Sequence, residues 1–285
     1  MNTHSFCVKI YTKGVGVMIF KKKVEQSEAN GVRMVNGSVA FKNFQLNVYC
    51  FLTDGVLIDT GAKSLEKEFR PFLDQQEIDQ VMITHHHEDH TGGAAYLQRQ
   101  GKPIHMHELF IEKCQLKANY PLYRKVFWGS RSPFKAEPMP PTFTSKGATW
   151  GTIYTPGHAK DHMSFLNRDT GQLFTGDLYC KDRTKVVLRD ESIPTQIDSL
   201  QRILLYDFGD VYCNHAGYLP NGRANLQRKL DYLLELQSKR VELHHQGLHP
   251  HQINKIIFPK KYPIIRFSSG EWDSIHMVTS VIKES

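Results

Sequence analysis

Several features of membrane and secreted proteins are missing from this 285-residue sequence. It has no run of about eighteen consecutive apolar residues, so no membrane span is expected. Its first residues alternate apolar side chains with lysine and threonine, and they lack the unbroken apolar stretch and small-residue cleavage site of a signal peptide. We therefore expect a cytoplasmic protein.

Cysteine is scarce, and its spacing excludes two common roles. The five cysteines are odd in number, widely scattered and include no CxxC pair, which argues against a disulfide framework and against a cysteine zinc site. We expect reduced thiols at all five positions, which are Cys7, Cys50, Cys114, Cys180 and Cys213.

Internal repeats and low-complexity segments are also lacking, and the composition is that of a globular protein, with 40% hydrophobic and 23% charged residues. The length suffices for one large domain, or for one domain and a small appendage, with a sizeable core. The net charge of +7 mildly favours an anionic ligand, nucleic acid included. A basic surface without a specific partner explains the same charge.

Strand and helix patterns alternate along most of the chain. Two β-rich runs in residues 44–61 flank Asp54-Gly55 and predict a hairpin. Short apolar strands are predicted at 81–83, in "KPIHMHE", "ATWGTIYTPGH", "MSFLN", "QLFTGD" and lastly "DVYCNHAG", with a helix around Ile197 and Leu200. Residues 110–147 are rich in proline, aromatic and basic residues, which predicts a long connection or lid.

The pattern changes after Gly222, where leucine and isoleucine recur at helical spacing. A possible capping box at Ser268 to Glu271 precedes the last helix, which includes Ile275, Val278 and Ile282. We therefore predict one large domain at 1–222 and a helical C-terminal extension at 223–285.

One segment, "THHHEDHTGG", concentrates metal-binding side chains directly after an apolar strand. In an extended segment alternate side chains share a face, so His85 and His87 can point the same way, while Asp89 and His90 follow as the chain turns. Two glycines then suit the start of a helix that approaches another segment closely. This HxHxDH spacing can present two ligands to one metal ion and two to a neighbouring ion.

Three further donors also follow apolar strands: His158 in "IYTPGH", Asp177 in "LFTGD" and His215 in "VYCNH". Glycine or proline beside the first two lets the loop bend inward. Seven donors can then converge at one rim.

The motifs "LIDTG", "THHHEDHTGG", "TPGH", "FTGD" and "NHAG", in this order, resemble those of the metallo-β-lactamase superfamily over roughly residues 44–220. The resemblance implies an αββα sandwich, an α/β fold in which two mixed sheets pack face to face and the metals lie in a cleft along one edge. It implies that Asp59 holds a ligand histidine in its tautomer and that His162 supports the site from outside. It implies a first metal site of His85, His87 and His158, a second of Asp89, His90 and His215, and a bridge at Asp177.

Imidazole and carboxylate ligands suit zinc best, and also iron or manganese. Two such ions would ionise a shared water and stabilise the developing oxyanion, giving hydrolysis without a protein nucleophile. Asp89 can orient that hydroxide or carry its proton. Tyr179 can donate to the oxyanion, or it can be a plain aromatic wall residue.

The sequence thus predicts a dinuclear metal hydrolase that cleaves an ester, thioester or lactone of a small molecule, and the positive net charge mildly favours an anionic one. The alternative is a phosphodiesterase or endoribonuclease that holds single-stranded RNA with basic residues of the tail and of 113–135. A metal-holding sensor without turnover and an oxygenase are further, weaker alternatives. No membrane partner is expected, and the sequence makes no prediction of oligomeric state.

Overall fold

The computed structural model describes the backbone of residues 3–12, 15–41 and 44–282, and the side chains of residues 20–41 and 44–281. Cys7 and Ile282, named above, lie outside the described side chains. In the described part, two large sheets pack face to face and helices cover their outer faces, which confirms the predicted αββα sandwich.

The first sheet has eight strands in the described residues, and their spatial order is also their order in the chain. From the first to the fifth strand, neighbours pair antiparallel, and from the fifth to the eighth strand, neighbours pair parallel. The strands are β1 (Thr3–Thr12), β2 (Val15–Ala29), β3 (Val32–Phe41), β4 (Phe44–Thr53), β5 (Val56–Ile58), β6 (Gln80–Met82), β7 (Ile104–Met106) and β8 (Glu137–Pro138).

The second sheet has six strands in the part that the structure describes, in the order β15-β14-β12-β11-β10-β9, and β13 pairs separately with β16. Only β12 and β14 pair parallel in the second sheet. The strands are β9 (Thr142–Thr144), β10 (Thr149–Tyr154), β11 (Met163–Asn167), β12 (Leu173–Phe174), β13 (Val187–Leu188), β14 (Val211–Cys213), β15 (Gly217–Leu219) and β16 (Trp272–Asp273).

The helices lie on both sides of the sheets. They are α1 (Glu66–Asp74), α2 (Glu88–Thr91), α3 (Ala94–Arg99), α4 (Ile111–Cys114), α5 (Leu122–Trp128), α6 (Ile193–Leu204), α7 (Gly222–His245), α8 (Pro250–Ile257), α9 (Pro263–Phe267) and α10 (Ser274–Ile282). Short 3-10 turns at Lys63–Leu65 and Glu108–Phe110 precede α1 and α4.

Alternating side chains divide the core into layers. On β4, Phe51 packs between the two sheets, while Cys50 and Leu52 face the layer that contains α1 and α3. A third cluster joins the far face of the second sheet to α6, α7, α8 and α10, whose apolar residues fall at helical spacing. Strands in the middle of the sandwich, such as β5 and β14, are therefore buried on both faces, which explains why they consist almost entirely of apolar residues.

The predicted hairpin is present and has the expected turn. Strands β4 and β5 pair antiparallel across Asp54 and Gly55, whose φ angles are 50° and 78°. Two successive residues with positive φ give a turn whose twist matches that of the strands, and Asp-Gly tolerates it better than most residue pairs. The strand β5 thereby leads directly to Asp59 at the edge of the sheet.

Three details of the sequence-based prediction are corrected. Residues 110–147 are more than a connection, because they contain α5, β8 and β9, and Phe127 and Phe134 are buried in the first core cluster. The strand β14 is followed by β15 and is not the last strand. The capping box at Ser268 to Glu271 does not start a helix: α10 begins at Ser274, where Asp273 Oδ1 accepts from the N–H of Ile275 at 3.1 Å.

Candidate metal centre

Strand direction brings the seven predicted donors to one edge of the sandwich. In the second sheet, β10, β12 and β14 run the same way, and His158, Asp177 and His215 follow their ends. In the first sheet, β5 and β6 run parallel and lead to Asp59 and to the histidine motif. Residues that follow the ends of such strands meet at a common rim.

The first donor set consists of His85, His87 and His158. His87 Nδ1 lies 3.0 Å from His85 Nε2 and 3.1 Å from His158 Nε2. The three nitrogens lie within 4.8 Å of one another, a grouping that could hold one metal ion.

The second donor set consists of Asp89, His90 and His215. Asp89 Oδ2 lies 3.8 Å from His90 Nε2 and 3.6 Å from His215 Nε2. These ligand atoms also lie within 4.8 Å of one another. Cys180 Sγ forms a further such group with Asp177 and His215, so a thiol, for which the sequence predicted no role, stands beside this set.

Asp177 lies between the two sets. Its Oδ2 is 3.0 Å from His215 Nε2, 3.3 Å from His158 Nε2, 3.5 Å from His90 Nε2 and 4.0 Å from His85 Nε2. One carboxylate oxygen therefore reaches imidazoles of both sets, the arrangement that a bridging ligand needs.

Asp59 supports the second set from behind. Its Oδ2 lies 2.7 Å from His90 Nδ1 and accepts from the Thr84 hydroxyl at 2.7 Å and from Asn214 Nδ2 at 2.8 Å. Its Oδ1 accepts from the Thr84 N–H at 2.8 Å. Asp59 and His90 are fully buried, so the carboxylate keeps the proton of His90 on Nδ1 and leaves Nε2 free to bind a metal.

Asn214 links Asp59 to the neighbouring strand through an amide side chain, which a glycine would lack. Its Nδ2 also donates to the carbonyl oxygen of Tyr49 at 2.8 Å, so the side chain connects β4 to Asp59. Asn214 directly precedes the ligand candidate His215 in the chain. The asparagine adds a hydrogen bond that glycine cannot make.

The outer ring nitrogens of three other histidines also have acceptors. His158 Nδ1 lies 3.2 Å from Glu191 Oε2, and His215 Nδ1 lies 2.5 Å from the carbonyl oxygen of Asn47. Thr84 Oγ1, whose proton goes to Asp59, is 3.0 Å from His85 Nδ1. No sequence signal identified Glu191, which lies 33 positions after its partner.

The carboxylates attract positive charge to the centre. Burial alone would lower the pKa of His90 and of His215, but the nearby acids, Asp177 first, have the larger effect. The pKa of His90 is therefore well above its usual value, and that of His215 is about 9. Burial raises the pKa of Asp177, yet His215 and His90 hold it well below the usual range. Protons and metal cations therefore compete for the same place.

The two glycines of the motif permit a close approach of backbones. A Cβ on Gly92 would lie 2.0 Å from the amide nitrogen of Lys63, and one on Gly93 would lie 2.6 Å from the carbonyl oxygen of Thr60. The close approach predicted from the sequence is thus present, and it packs the end of α2 and the start of α3 against the loop after β5.

Two other histidines of these motifs have structural partners. His162 Nε2 accepts from the Asp177 N–H at 2.9 Å, and burial lowers the pKa of His162 to about 3, so the ring is neutral. His86 Nδ1 lies 2.8 Å from Asp161 Oδ1, and its ring stacks on Phe110. The position of His162 agrees with the supporting role that the resemblance implied.

Tyr179 has protein partners for both its ring and its hydroxyl group. It packs in the third core cluster with 7% of its surface exposed, and its hydroxyl donates to Asp182 Oδ1 at 2.5 Å. Of the two roles that the sequence left open, this contact favours a packing residue over an oxyanion donor, because the hydroxyl proton is donated to Asp182.

The centre opens into a large cleft of about 1500 Å³. His87 and His158 line it, together with Phe110, with residues of α5 and with residues around Phe267 from the C-terminal part. Residues of the C-terminal part thus close one side of the cleft.

The donors fit divalent metal ions. Five imidazoles and two carboxylates turn toward one another. Two of their atoms, His90 Nε2 and Asp177 Oδ1, are buried without a hydrogen-bond partner in the described part of the chain. Buried lone pairs without donors are costly unless a cation binds them. Nitrogen and oxygen donors in such sets suit zinc, iron or manganese.

In the part of the chain that the structure describes, no helix combines the length and the apolar character needed to cross a bilayer.

Comparison with known proteins agrees with this geometry. The family model described as Metallo-beta-lactamase superfamily matches residues 46–215. A solved structure of a β-lactamase domain protein from Burkholderia ambifaria has a TM-score of 0.67 at 15% identity and covers 92% of this chain and 90% of its own, a likeness of fold alone.

Two curated relatives are similar in sequence. The atrochrysone carboxyl ACP thioesterase of Passalora fulva is 32% identical over 228 residues, and that of Aspergillus fumigatus is 27% identical over 222 residues. The matches cover 76% and 70% of this chain, and 60% of each relative. The chain thus spans about three fifths of the length of these two relatives.

Proposed function

The chain belongs to the metallo-β-lactamase superfamily, and from this premise we propose that it is a metal-dependent hydrolase that cleaves thioesters. The observation that carries the proposal is the position of Asp177 Oδ2, 3.0–4.0 Å from four imidazole nitrogens of two donor sets at the mouth of a large cleft. The two relatives named as ACP thioesterases favour a thioester over the ester or lactone that the sequence left open.

In this proposal His85, His87 and His158 hold one ion, Asp89, His90 and His215 hold the other, and Asp177 contacts both. Bound divalent ions would supply an ionised water and an electrophile for the thioester carbonyl. Zinc is the first candidate for both ions, with iron and manganese as alternatives.

The protein groups contribute orientation and proton transfer. Asp59 and Glu191 hold the outer nitrogens of His90 and His158, so that the inner nitrogens keep their lone pairs. Asp89, 7% exposed, presents Oδ2 beside both histidines of its set and is the candidate to take the proton of the attacking water and deliver it to the departing thiolate. The apolar lining of the cleft excludes water around the acyl group.

The experiment combines elemental analysis of the purified protein with a substrate panel of thioesters, esters, lactones, phosphodiesters and RNA. We expect about two metal ions per chain and turnover of thioesters, followed by reaction of the released thiol with a chromogenic reagent. Asp177→Asn should abolish turnover, whereas His249→Ala, an exposed histidine outside the site, should not change it. Fully metallated protein that hydrolyses lactones or phosphodiesters but no thioester would overturn the proposal.

Three finer statements belong to the same proposal. We propose a small-molecule substrate, a cytoplasmic location, and a division into a hydrolase domain at 1–222 and a helical extension at 223–285. The relatives named above give no support to the alternative of RNA cleavage.

A further inference from the structure

The cleft beside the metal centre has an excess of positive charge. Two of its cations already have protein partners: Arg124 forms a two-bond ion pair with Glu88 and contacts Glu271, and Arg131 donates to backbone carbonyl oxygens such as that of Cys114. The charged lining consists of Lys113, Lys117, Arg124, Arg131, Lys160, Arg189, Glu88, Asp190 and Glu271.

The other four cations can offer their charge to a ligand, and one of them, Lys113, lies over the ring of Phe110 with Nζ 4.9 Å from the ring centroid. Lys113, Lys117, Lys160 and Arg189 are exposed, and among the described side chains none has a carboxylate within ion-pair distance. Asp190 is the one acid of the lining that neither arginine contacts. The unpaired charge of the cleft is therefore clearly positive, and it attracts an anion.

The same cleft also offers apolar surface. Leu116 and Leu122 are 65% and 76% exposed, and the rings of Phe110 and Phe267 line the cleft beside them. Exposed leucines around a concave site mark a binding surface rather than a solvated one. A ligand that fits has an apolar group, an anionic group and, from the proposed function, a thioester between them.

We propose that the cleft binds the 4′-phosphopantetheinyl arm of its thioester substrate, with the phosphate attracted to the unpaired cations of the lining and the acyl group packed on the apolar wall. This inference rests on the proposed function. Lysine side chains bind phosphate as point charges, and three of the four cations are lysines. Coenzyme A and a carrier protein both present this arm, so the shared chemistry is the phosphorylated pantetheine.

A binding experiment tests the inference without turnover. Titration calorimetry of the metal-loaded protein should show 4′-phosphopantetheine binding at least about tenfold more tightly than pantetheine, with the difference shrinking as salt rises. Lys113→Gln, Lys160→Gln and Arg189→Gln should each weaken it about two- to fivefold, the range for single exposed ion pairs. Lys255→Gln, an exposed lysine outside the cleft, should change nothing.

Equal affinities for 4′-phosphopantetheine and pantetheine, or tighter binding of glutathione, would overturn the inference. Kinetics then separate it from the proposed function. If benzoyl-pantetheine and benzoyl-4′-phosphopantetheine are hydrolysed with equal kcat/KM at all salt concentrations, the thioesterase proposal stands and the phosphate site is wrong. If phosphopantetheine binds as expected but no thioester is hydrolysed, the phosphate site stands and the thioesterase proposal is wrong. Benzoyl-coenzyme A compared with the shorter thioester shows whether the nucleotide adds affinity.

Discussion

Replacing Asp59 with asparagine tests whether this carboxylate organises the metal centre. The substitution keeps the size of the side chain and suits the backbone, because φ is 58° at this position and asparagine tolerates this region at least as well as aspartate. It removes the charge and turns one of two acceptor oxygens into a donor. Asp59 accepts four hydrogen bonds, three on Oδ2 and one on Oδ1.

The magnitude follows from these contacts. Whichever way the amide is turned, its NH2 group faces a buried donor, and one unsatisfied buried donor costs about 1–3 kcal/mol. Burial disfavours the charged carboxylate and raises the pKa of Asp59, although His90 and Thr84 lower it. The neutral asparagine avoids this penalty of burying a charge, which offsets part of the cost of the unsatisfied donor. We expect a net loss in the lower part of that range, about 1–2 kcal/mol, in the free energy of unfolding of the metal-free protein.

Metal binding should suffer selectively. Asp59 contacts His90 directly, so one of two metal equivalents should bind about 10–100-fold more weakly while the other changes little. Competition with a chromogenic chelator measures both affinities, and urea unfolding measures stability. Asp54→Asn is the matched control, since it has a φ of 50° at an exposed turn and should leave both affinities unchanged. Wild-type affinities and stability in Asp59→Asn would refute the reasoning.

Three further outcomes are expected. Gly92→Ala should lower the free energy of unfolding by about 3 kcal/mol or more and impair metal binding, because the new Cβ would lie 2.0 Å from a backbone nitrogen. Gly209→Ala, the control, adds a Cβ in open space and should have little effect on the melting temperature. Metal binding should release protons near pH 7.5, because nearby carboxylates outweigh the effect of burial and raise the pKa of metal-free His215 to about 9. The affinity for metal should therefore rise with pH up to about 9. Equal binding heats in buffers of different ionisation enthalpy would contradict this prediction. Tyr179→Phe should change kcat less than about threefold, because its hydroxyl donates to Asp182, and a loss of about 100-fold with stability unchanged would restore the oxyanion role.

Much of the site could be predicted from the sequence because its signals are local. The run "THHHEDHTGG" contains four donors and two glycines in ten positions, and each of the other three donors comes shortly after the end of an apolar strand. Alternation along strands and turn residues such as Asp54-Gly55 were read correctly for the same reason. The predicted capping box at Ser268 was wrong because the local pattern matches a helix start, but the chain forms the short strand β16 before α10 begins.

By itself, the sequence determined which residue types stand at the ends of which strands, and so which side chains were available to bind metal. The tertiary structure decided what surrounds them. Glu191 reaches His158 at 3.2 Å, Asn214 reaches Asp59, and Tyr179 donates to Asp182. The physical reason is that periodicity and turn chemistry act over a few residues, whereas these contacts depend on the order of strands in two sheets and on how the layers pack.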